Sequence, residues 1–215
     1  MFNALTLAAV LTGSAATSLA LLPPVTAPPP VLESPSNSIV LEAPPKPQEV
    51  AIREAASEKP KERRLICKSC NENEQIALKE LQDRGIKDRN ALATIMGNIR
   101  QESTFVPNIC EGGARVPYHR CTRGGYGLIQ LTSQSRYDGL GRFATKTSGD
   151  PSSLSTQLSY IFTESQWRGI EDQLKVPGRP IEYYMRLAHR WLGWGHHGAR
   201  TAYAHDYARR LTSNS

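Results

Sequence analysis

The chain has 215 residues, with 26 Lys and Arg against 20 Asp and Glu, which gives a formal net charge of +6. This length is sufficient for one domain of ordinary size with a hydrophobic core. A basic surface attracts nucleic acid, anionic cell-wall polymers and membranes. The sequence has no recognised nucleic-acid-binding motif and no helix dominated by Lys and Arg, so nucleic acid is not expected as a partner.

The composition changes near residue 60. Residues 1–60 hold ten of the fifteen prolines and carry three Lys and Arg against five Asp and Glu, a net charge of −2. Subtraction from the totals leaves 23 against 15 for residues 61–215, a net charge of +8. The net positive charge therefore lies in the second part of the chain, where we expect the folded domain.

An uncharged, mildly apolar leader precedes this domain. Residues 1–22 predict a secretory signal peptide with Ser18-Leu19-Ala20 as a cleavage site, although the usual positive start is missing. A weak signal anchor in the membrane and a leader without a targeting role are the alternatives. Proline runs in residues 23–66 predict an extended, disordered linker. Residues 67–215 are then the domain.

Four cysteines fit either disulfides or zinc. In an exported chain an even number favours disulfides. A bridge from Cys110 to Cys121 would close a loop, worth about 2–3 kcal/mol. A bridge from Cys67 to Cys70 would close a very small loop, so pairing of these two with the other cysteines stays open. The alternative is a zinc-held adaptor, but only Cys67 and Cys70 have zinc-ligand spacing.

Helical signals dominate the domain. Asn73 is expected to cap a helix from Glu74 to Arg84, and Asp88 to cap the next helix. The glycine-rich residues 106–131 are expected to be irregular or β. Four further helices are expected. One covers residues 133–145, one begins after a cap at Ser152 or Ser153, and the last two cover 180–192 and 199–211. The fold class is therefore α+β, mainly α-helical, with a small β-hairpin element after the second helix.

The second predicted helix ends in a carboxyl group. Its buried face consists of four apolar residues at helical spacing, namely Leu92, Ile95, Met96 and Ile99. Three residues further on, Glu102 continues this stripe, and Pro107 soon ends the helix. Partial burial and the negative end of the helix dipole both favour a raised pKa of Glu102, as a general acid requires. The alternative is an exposed glutamate paired with Arg100.

Two histidines and two tryptophans cluster near the end of the chain. The adjacent pair His196 and His197 lacks the i, i+4 spacing of a metal-binding helix, so we expect no metal site. Trp191 is expected to lie in the core. Trp194, between two glycines, is expected at an exposed loop tip, where it could contact a sugar.

Two motifs and a closing helix resemble the phage tail lysozyme family. The segment Gly97-Asn98-Ile99-Arg100-Gln101-Glu102-Ser103-Thr104-Phe105-Val106-Pro107 is similar to the family's Gly-Asn, Glu-Ser and Pro pattern, with one extra residue before Glu102. Gly125-Tyr126-Gly127-Leu128-Ile129-Gln130 is similar to its Gly-Tyr-Gly-Leu-x-Gln stretch. Residues 200–204 resemble its closing helix. The resemblance covers roughly residues 71–211 and extends to the lysozyme-like superfamily, including goose-type lysozymes and lytic transglycosylases.

The resemblance implies a lysozyme-like fold and a peptidoglycan-cleaving glycosidase of the muramidase type. Glu102 would be the general acid for the bond between N-acetylmuramic acid and N-acetylglucosamine. A second carboxylate is harder to assign: Glu111 is the first candidate, with Asp138 and Asp150 by position only. Glycosidases generally use two carboxylates. Hydrolysis and lytic transglycosylation therefore both stay open, as does a non-catalytic cell-wall-binding or tail module.

The expected substrate-binding residues follow the catalytic helix or lie in the last helix. Gln130 and Thr132 would line the cleft, where an amide suits N-acetyl groups, and Tyr126 would stack on a sugar face. Tyr203 in the closing helix is the fourth candidate. No metal or organic cofactor is implied. The expected partner is the peptidoglycan glycan strand, in the periplasm or at a virion, with the phage tail or a membrane as a further partner of the leader.

Overall fold

The structure, a computed structural model, describes residues 64–122 and 124–213. The predictions for the leader and for most of the linker lie outside these residues. The described part contains seven α-helices and two short strands: β1 (Leu65–Ile66), α1 (Glu72–Asp83), α2 (Arg89–Ser103), α3 (Gln134–Thr147), α4 (Leu154–Ile161), α5 (Ser165–Leu174), α6 (Ile181–Leu192), α7 (Arg200–Arg210) and β2 (Thr212–Ser213). This confirms an α+β fold that is mainly helical.

The first helix begins two residues earlier than predicted. Asn71 accepts a hydrogen bond from the Glu74 backbone nitrogen at 3.0 Å, and the Glu74 side chain accepts one from the Asn71 backbone nitrogen at 2.6 Å. This reciprocal capping box fixes the start of α1. The predicted cap, Asn73, instead donates to the Phe105 carbonyl at 2.9 Å and so ties α1 to the segment after α2.

The second helix occupies the centre of the domain. It begins at the predicted cap, Asp88, and ends at Ser103 within the predicted window. Every residue from Ala91 to Ile99 is buried, so α2 is covered on all sides and not on one face alone. Its closest neighbour is α7: a side-chain carbon added to Gly97 would lie 2.6 Å from the Ala204 backbone nitrogen. Gly97 therefore permits a backbone approach that any larger residue would prevent.

The two strands join the ends of the domain. Leu65 pairs with Ser213, and Ile66 with Thr212, in antiparallel register. The Gln82 side chain donates to the Leu65 carbonyl at 3.0 Å and accepts from its backbone nitrogen at 2.8 Å. Leu65 and Ile66, which we expected in the linker, thus belong to the folded part.

The described residues of the segment after α2 are held by isolated bridges and contain no strand. Ile109 pairs with Arg115, and Cys110 with Tyr126, both antiparallel. Gly112 and Gly113, with φ of 87° and 90°, turn the chain immediately after these pairs, which leaves no length for a ladder. The predicted β element is present here only as this bridged loop.

Both disulfides connect cysteines that are close in sequence. Cys110 is bonded to Cys121, and Cys67 to Cys70. The first pairing confirms the bridge that the sequence favoured, and the second resolves the connectivity that stayed open. With all four cysteines in disulfides, no thiol is left for the alternative zinc site.

Removing the longer bridge is expected to destabilise the domain more than removing the shorter one. The double substitution Cys110→Ser and Cys121→Ser should lower the free energy of unfolding by about 2–3 kcal/mol, because it frees a longer loop in the unfolded chain. Cys67→Ser with Cys70→Ser is the matched control and should cost less. Urea denaturation without reductant measures both, and equal or inverted losses would contradict this prediction.

Candidate active site

The candidate acid lies at the end of the central helix. Glu102 is the second-last residue of α2, and its side chain is 15% exposed. The helix ends because Thr104 and Phe105 adopt left-handed φ values of 53° and 62°. Next to the acid, the buried Ser103 hydroxyl donates to the Leu128 carbonyl at 2.9 Å. This bond fastens the C-terminal end of α2 to the Gly-Tyr-Gly-Leu loop.

Arg200 is the partner of the candidate acid. Its Nη2 donates to Glu102 Oε1 at 2.6 Å, and its side chain is 6% exposed. Arg100, the neighbour considered as an alternative partner, instead forms an ion pair with Asp206 at 3.0 Å. Glu102 is therefore neither exposed nor paired within its own helix, and its cation comes from the first residue of α7.

Burial and charge act in opposite directions on this pair. Burial raises the pKa of Glu102; the charge and hydrogen bond of Arg200, and then the charge of Arg136, lower the pKa, but it remains above its ordinary value. Burial likewise lowers the pKa of Arg200, against the effect of Glu102. The low-polarity surroundings thus disfavour both charges.

The residue before the acid positions the helix that carries Arg200. Gln101 Oε1 accepts a hydrogen bond from the Ala199 backbone nitrogen at 2.8 Å, and α7 has no capping side chain from its own N-cap residue. Gly198, at a φ of 59°, leaves room for this amide, since an added side-chain carbon would lie 2.7 Å from Gln101 Cδ. Gln101 and Glu102 together fix the start of α7 against the end of α2.

Tyr126 does not face a cleft. Its ring is 0% exposed and packs edge-on against Tyr118 and Tyr137, with centroids 5.6 and 6.0 Å away. Its hydroxyl lies 3.0 Å from Ser152 Oγ. Because no face of the ring is open, Tyr126 is not available for the sugar stacking expected from sequence. It supports the loop from within.

The other expected substrate contacts lie nearer the surface. Gln130 is half-buried, with φ of 48°, and its amide donates to the Gly127 carbonyl at 3.0 Å. Thr132 is exposed. Tyr203 is half-buried on α7, and the Arg100 guanidinium lies 4.3 Å from its ring centroid. Their contact with substrate stays a prediction.

The three candidate second carboxylates have local partners. Glu111 is exposed, and its Oε2 accepts from the Gly125 backbone nitrogen at 3.0 Å. Asp138 accepts from Gln134 at 2.7 Å, and Asp150 from the Ser152 backbone nitrogen at 2.8 Å. Each contact supports a loop or helix. The role of Glu111 as a second acid stays a prediction.

Sequence reasoning missed two residues that organise the site. Arg200 was noted only as part of a resembling helix, since nothing local links it to a glutamate 98 positions away. Gln157 is buried, accepts from the Leu128 backbone nitrogen at 2.8 Å, and donates to the carbonyls of Pro107 and Pro151 at 2.6 and 2.8 Å. A polar residue on the apolar face of a predicted helix was the available signal.

The mainly helical fold with two short antiparallel strands agrees with a lysozyme-like domain. A family model described as phage tail lysozyme matches residues 72–211. The chain belongs to the phage tail lysozyme family. Comparison with curated proteins and with solved structures found no match.

Family membership supports a lysozyme-like function that acts on the cell wall, with peptidoglycan as the implied substrate. It also indicates action at a virion or in the periplasm. In residues 64–122 and 124–213, no helix is both long and apolar enough to cross a bilayer. Within the same residues, no group of three or more His, Cys, Asp or Glu side chains is placed to hold a metal ion.

Proposed function

We propose that this protein cleaves the glycan strands of peptidoglycan between N-acetylmuramic acid and N-acetylglucosamine, with Glu102 as the general acid. The observation that carries the proposal is a carboxyl group at a helix end whose burial raises its pKa despite a paired arginine. A general acid has to be protonated before the reaction, and a raised pKa favours the protonated form.

Arg200 would act after the proton has left. Glu102 protonates the glycosidic oxygen, the bond from that oxygen to the sugar carbon breaks, and positive charge develops on the sugar. Glu102 then carries a negative charge inside the protein, where an unpaired carboxylate is costly. The guanidinium 2.6 Å away stabilises that charge without any rearrangement. Burial thus favours the protonated form of Glu102, which is needed before the reaction. Arg200 favours the carboxylate that the proton transfer leaves behind.

The positive sugar can be captured in two ways. In hydrolysis, a second carboxylate activates water or traps the sugar, and Glu111 is the candidate. In transglycosylation, a hydroxyl of the same sugar attacks, gives its proton to the Glu102 carboxylate and closes an anhydro ring, so no water is consumed. The second route agrees with the local contacts of the three candidate second carboxylates, Glu111, Asp138 and Asp150, each of which accepts a hydrogen bond from its own loop or helix.

The bond that is cut can be identified from the products. The full-length chain is incubated with purified peptidoglycan, and the released fragments are analysed by mass spectrometry. Disaccharide units that still carry their peptides support the proposal, and an anhydro end, lighter by one water, identifies transglycosylation. Release of free peptides alone would indicate a peptide-bond-cleaving enzyme, and binding without release a non-catalytic wall or tail module.

The place of action forms part of the same proposal. Residues 1–22 would direct export and then be cleaved, or hold the protein weakly at the membrane, and the proline-rich residues 23–66 would serve as the linker to the domain. Attachment to a phage tail through this segment is the alternative.

Replacing Arg200 is expected to change the pH dependence of cleavage. In Arg200→Gln the charge and hydrogen bond that lower the pKa of Glu102 are gone, so the acid stays protonated to higher pH. In a plot of kcat against pH, the decline on the basic side should move to higher pH. The maximal rate should fall by about 10²-fold, because the developing carboxylate loses its partner.

Arg200→Lys is the control, since it keeps a cation at this position and should restore part of both effects. Circular dichroism of each variant checks that the domain is folded. An unmoved decline on the basic side in folded Arg200→Gln would show that the arginine does not set the pKa of the catalytic acid.

A further inference from the structure

A groove on α6 lies outside the acid–arginine pair. It has a volume of about 650 Å³ and runs along α6 to the loop of residues 193–199. Aromatic, arginine and histidine side chains dominate the residues that line it, which include Tyr183, Arg186, His189, Arg190, Trp194 and His197. No part of the mechanism proposed above uses this groove.

The groove is suited to an acidic ligand. Arg186 and Arg190 are exposed and one helical turn apart, and none of the described residues that line the groove is acidic. Arg190 donates to the Gln173 side chain at 2.9 Å, and Arg186 to the Glu182 carbonyl at 3.2 Å. Within the described part of the chain neither arginine has an ion-pair partner, so both charges are available to a ligand.

Trp194 connects the groove with the candidate acid. On one side, Trp194 contacts His189, which lines the groove. The centroids of these two rings are 4.7 Å apart. The Arg200 guanidinium also lies over the Trp194 ring, 4.7 Å from its centroid, and Arg200 in turn holds Glu102. A substrate that extends from Glu102 past this ring would therefore enter the groove.

Arg200 adds a second indication that the region receives polar groups. It is 5% exposed, and its Nε and Nη1 have no hydrogen-bond partner among the described residues. Buried donors of a cation are normally paired, and exceptions mark strain or function. Among residues 64–122 and 124–213, Glu102 Oε1 is the only atom that accepts a hydrogen bond from this guanidinium.

We infer that the groove binds the acidic peptide stem carried by the sugar next to the cleaved bond. Carboxylates of the stem would pair with Arg186 and Arg190, and its aliphatic atoms would lie on Tyr183 and Trp194. The glycan backbone itself does not need two cations, whereas the stem carries carboxylates. This inference rests on the proposed function, because it assigns a part of the same substrate to a second site.

The test measures binding with turnover blocked. The full-length Glu102→Gln variant is titrated with soluble wall glycan that carries its stems and with the same glycan after the stems have been removed. The groove variant adds Arg186→Glu and Arg190→Glu. The matched control adds Arg142→Glu and Lys146→Glu, two exposed cations with the same spacing on α3. Physiological ionic strength limits long-range attraction to about 8 Å.

The groove variant should bind stem-bearing glycan at least about tenfold more weakly, with stem-free glycan unchanged, because two charge pairs are lost. The control should retain its affinity for both ligands. Equal loss in the control would show general charge attraction, and loss for both ligands would place the glycan itself in the groove. Either outcome, or an unchanged affinity, overturns the inference. Cleavage is measured separately in the wild-type protein, so failure of the proposed function is recognised independently.

Discussion

Glu102→Gln is expected to reduce the rate of glycan cleavage by about 10²–10⁴-fold, the usual contribution of a general acid. The substitution keeps the size of the side chain and an oxygen that can accept from Arg200, but it removes the transferable proton. Substrate affinity should change little, since the amide still fills the same space. Initial rates on purified peptidoglycan, with folding checked by circular dichroism, measure the effect.

Glu111→Gln tests the candidate second carboxylate in the same experiment. Glu111 is exposed and supports Gly125 through one hydrogen bond, which an amide oxygen can also accept. Its rate should stay within about threefold of the wild type if transglycosylation is the reaction, because that route needs no second carboxylate. A loss as large as that of Glu102→Gln would assign Glu111 to the chemistry and favour hydrolysis.

Gly97→Ala is expected to lower the free energy of unfolding by about 3 kcal/mol. The added carbon would lie 2.6 Å from the Ala204 backbone nitrogen and 2.9 Å from its Cα. Backbone atoms cannot rotate away, so α7 has to move from α2. This movement would also displace Arg200 from Glu102, and cleavage should fall even in protein that remains folded. Urea denaturation measures the stability.

Gly169→Ala provides the opposite expectation at a second helical glycine. Nothing lies within 4 Å of a carbon added at Gly169 in α5, so alanine should stabilise the domain by about 0.5–1 kcal/mol through its better helix propensity. If Gly97→Ala were as stable as Gly169→Ala, the result would contradict a close approach of α7 to α2 at Gly97.

The central helix and the position of Glu102 at its end could be predicted because their signals are local. Asp88 caps α2 from within one turn, and Pro107 is a sequence signal for the end of the helix, which falls at Ser103. The apolar spacing that leads to Glu102 is visible in a single stretch of sequence. The start of α1 also had a local signal, since Asn71 and Glu74 have the spacing of a capping box, which takes precedence over Asn73.

The partner of the acid could not be predicted, because the contact depends on how distant helices pack. Glu102 and Arg200 meet only because Gly97 lets α7 approach α2 and Gln101 caps α7. Tyr126 illustrates a different limit. A tyrosine between glycines fits either a sugar-binding loop or a buried support, and only the packing of Tyr118 and Tyr137 around it decides.

The most direct test of the general-acid assignment uses a substrate that needs no acid. A short wall glycan whose terminal N-acetylmuramic acid carries a dinitrophenyl group releases a leaving group that is stable without a proton. Glu102→Gln should cleave this substrate at nearly the wild-type rate, while its cleavage of the natural glycan falls by about 10²-fold or more. An equal loss on both substrates would show that Glu102 does not act by donating a proton to the leaving oxygen.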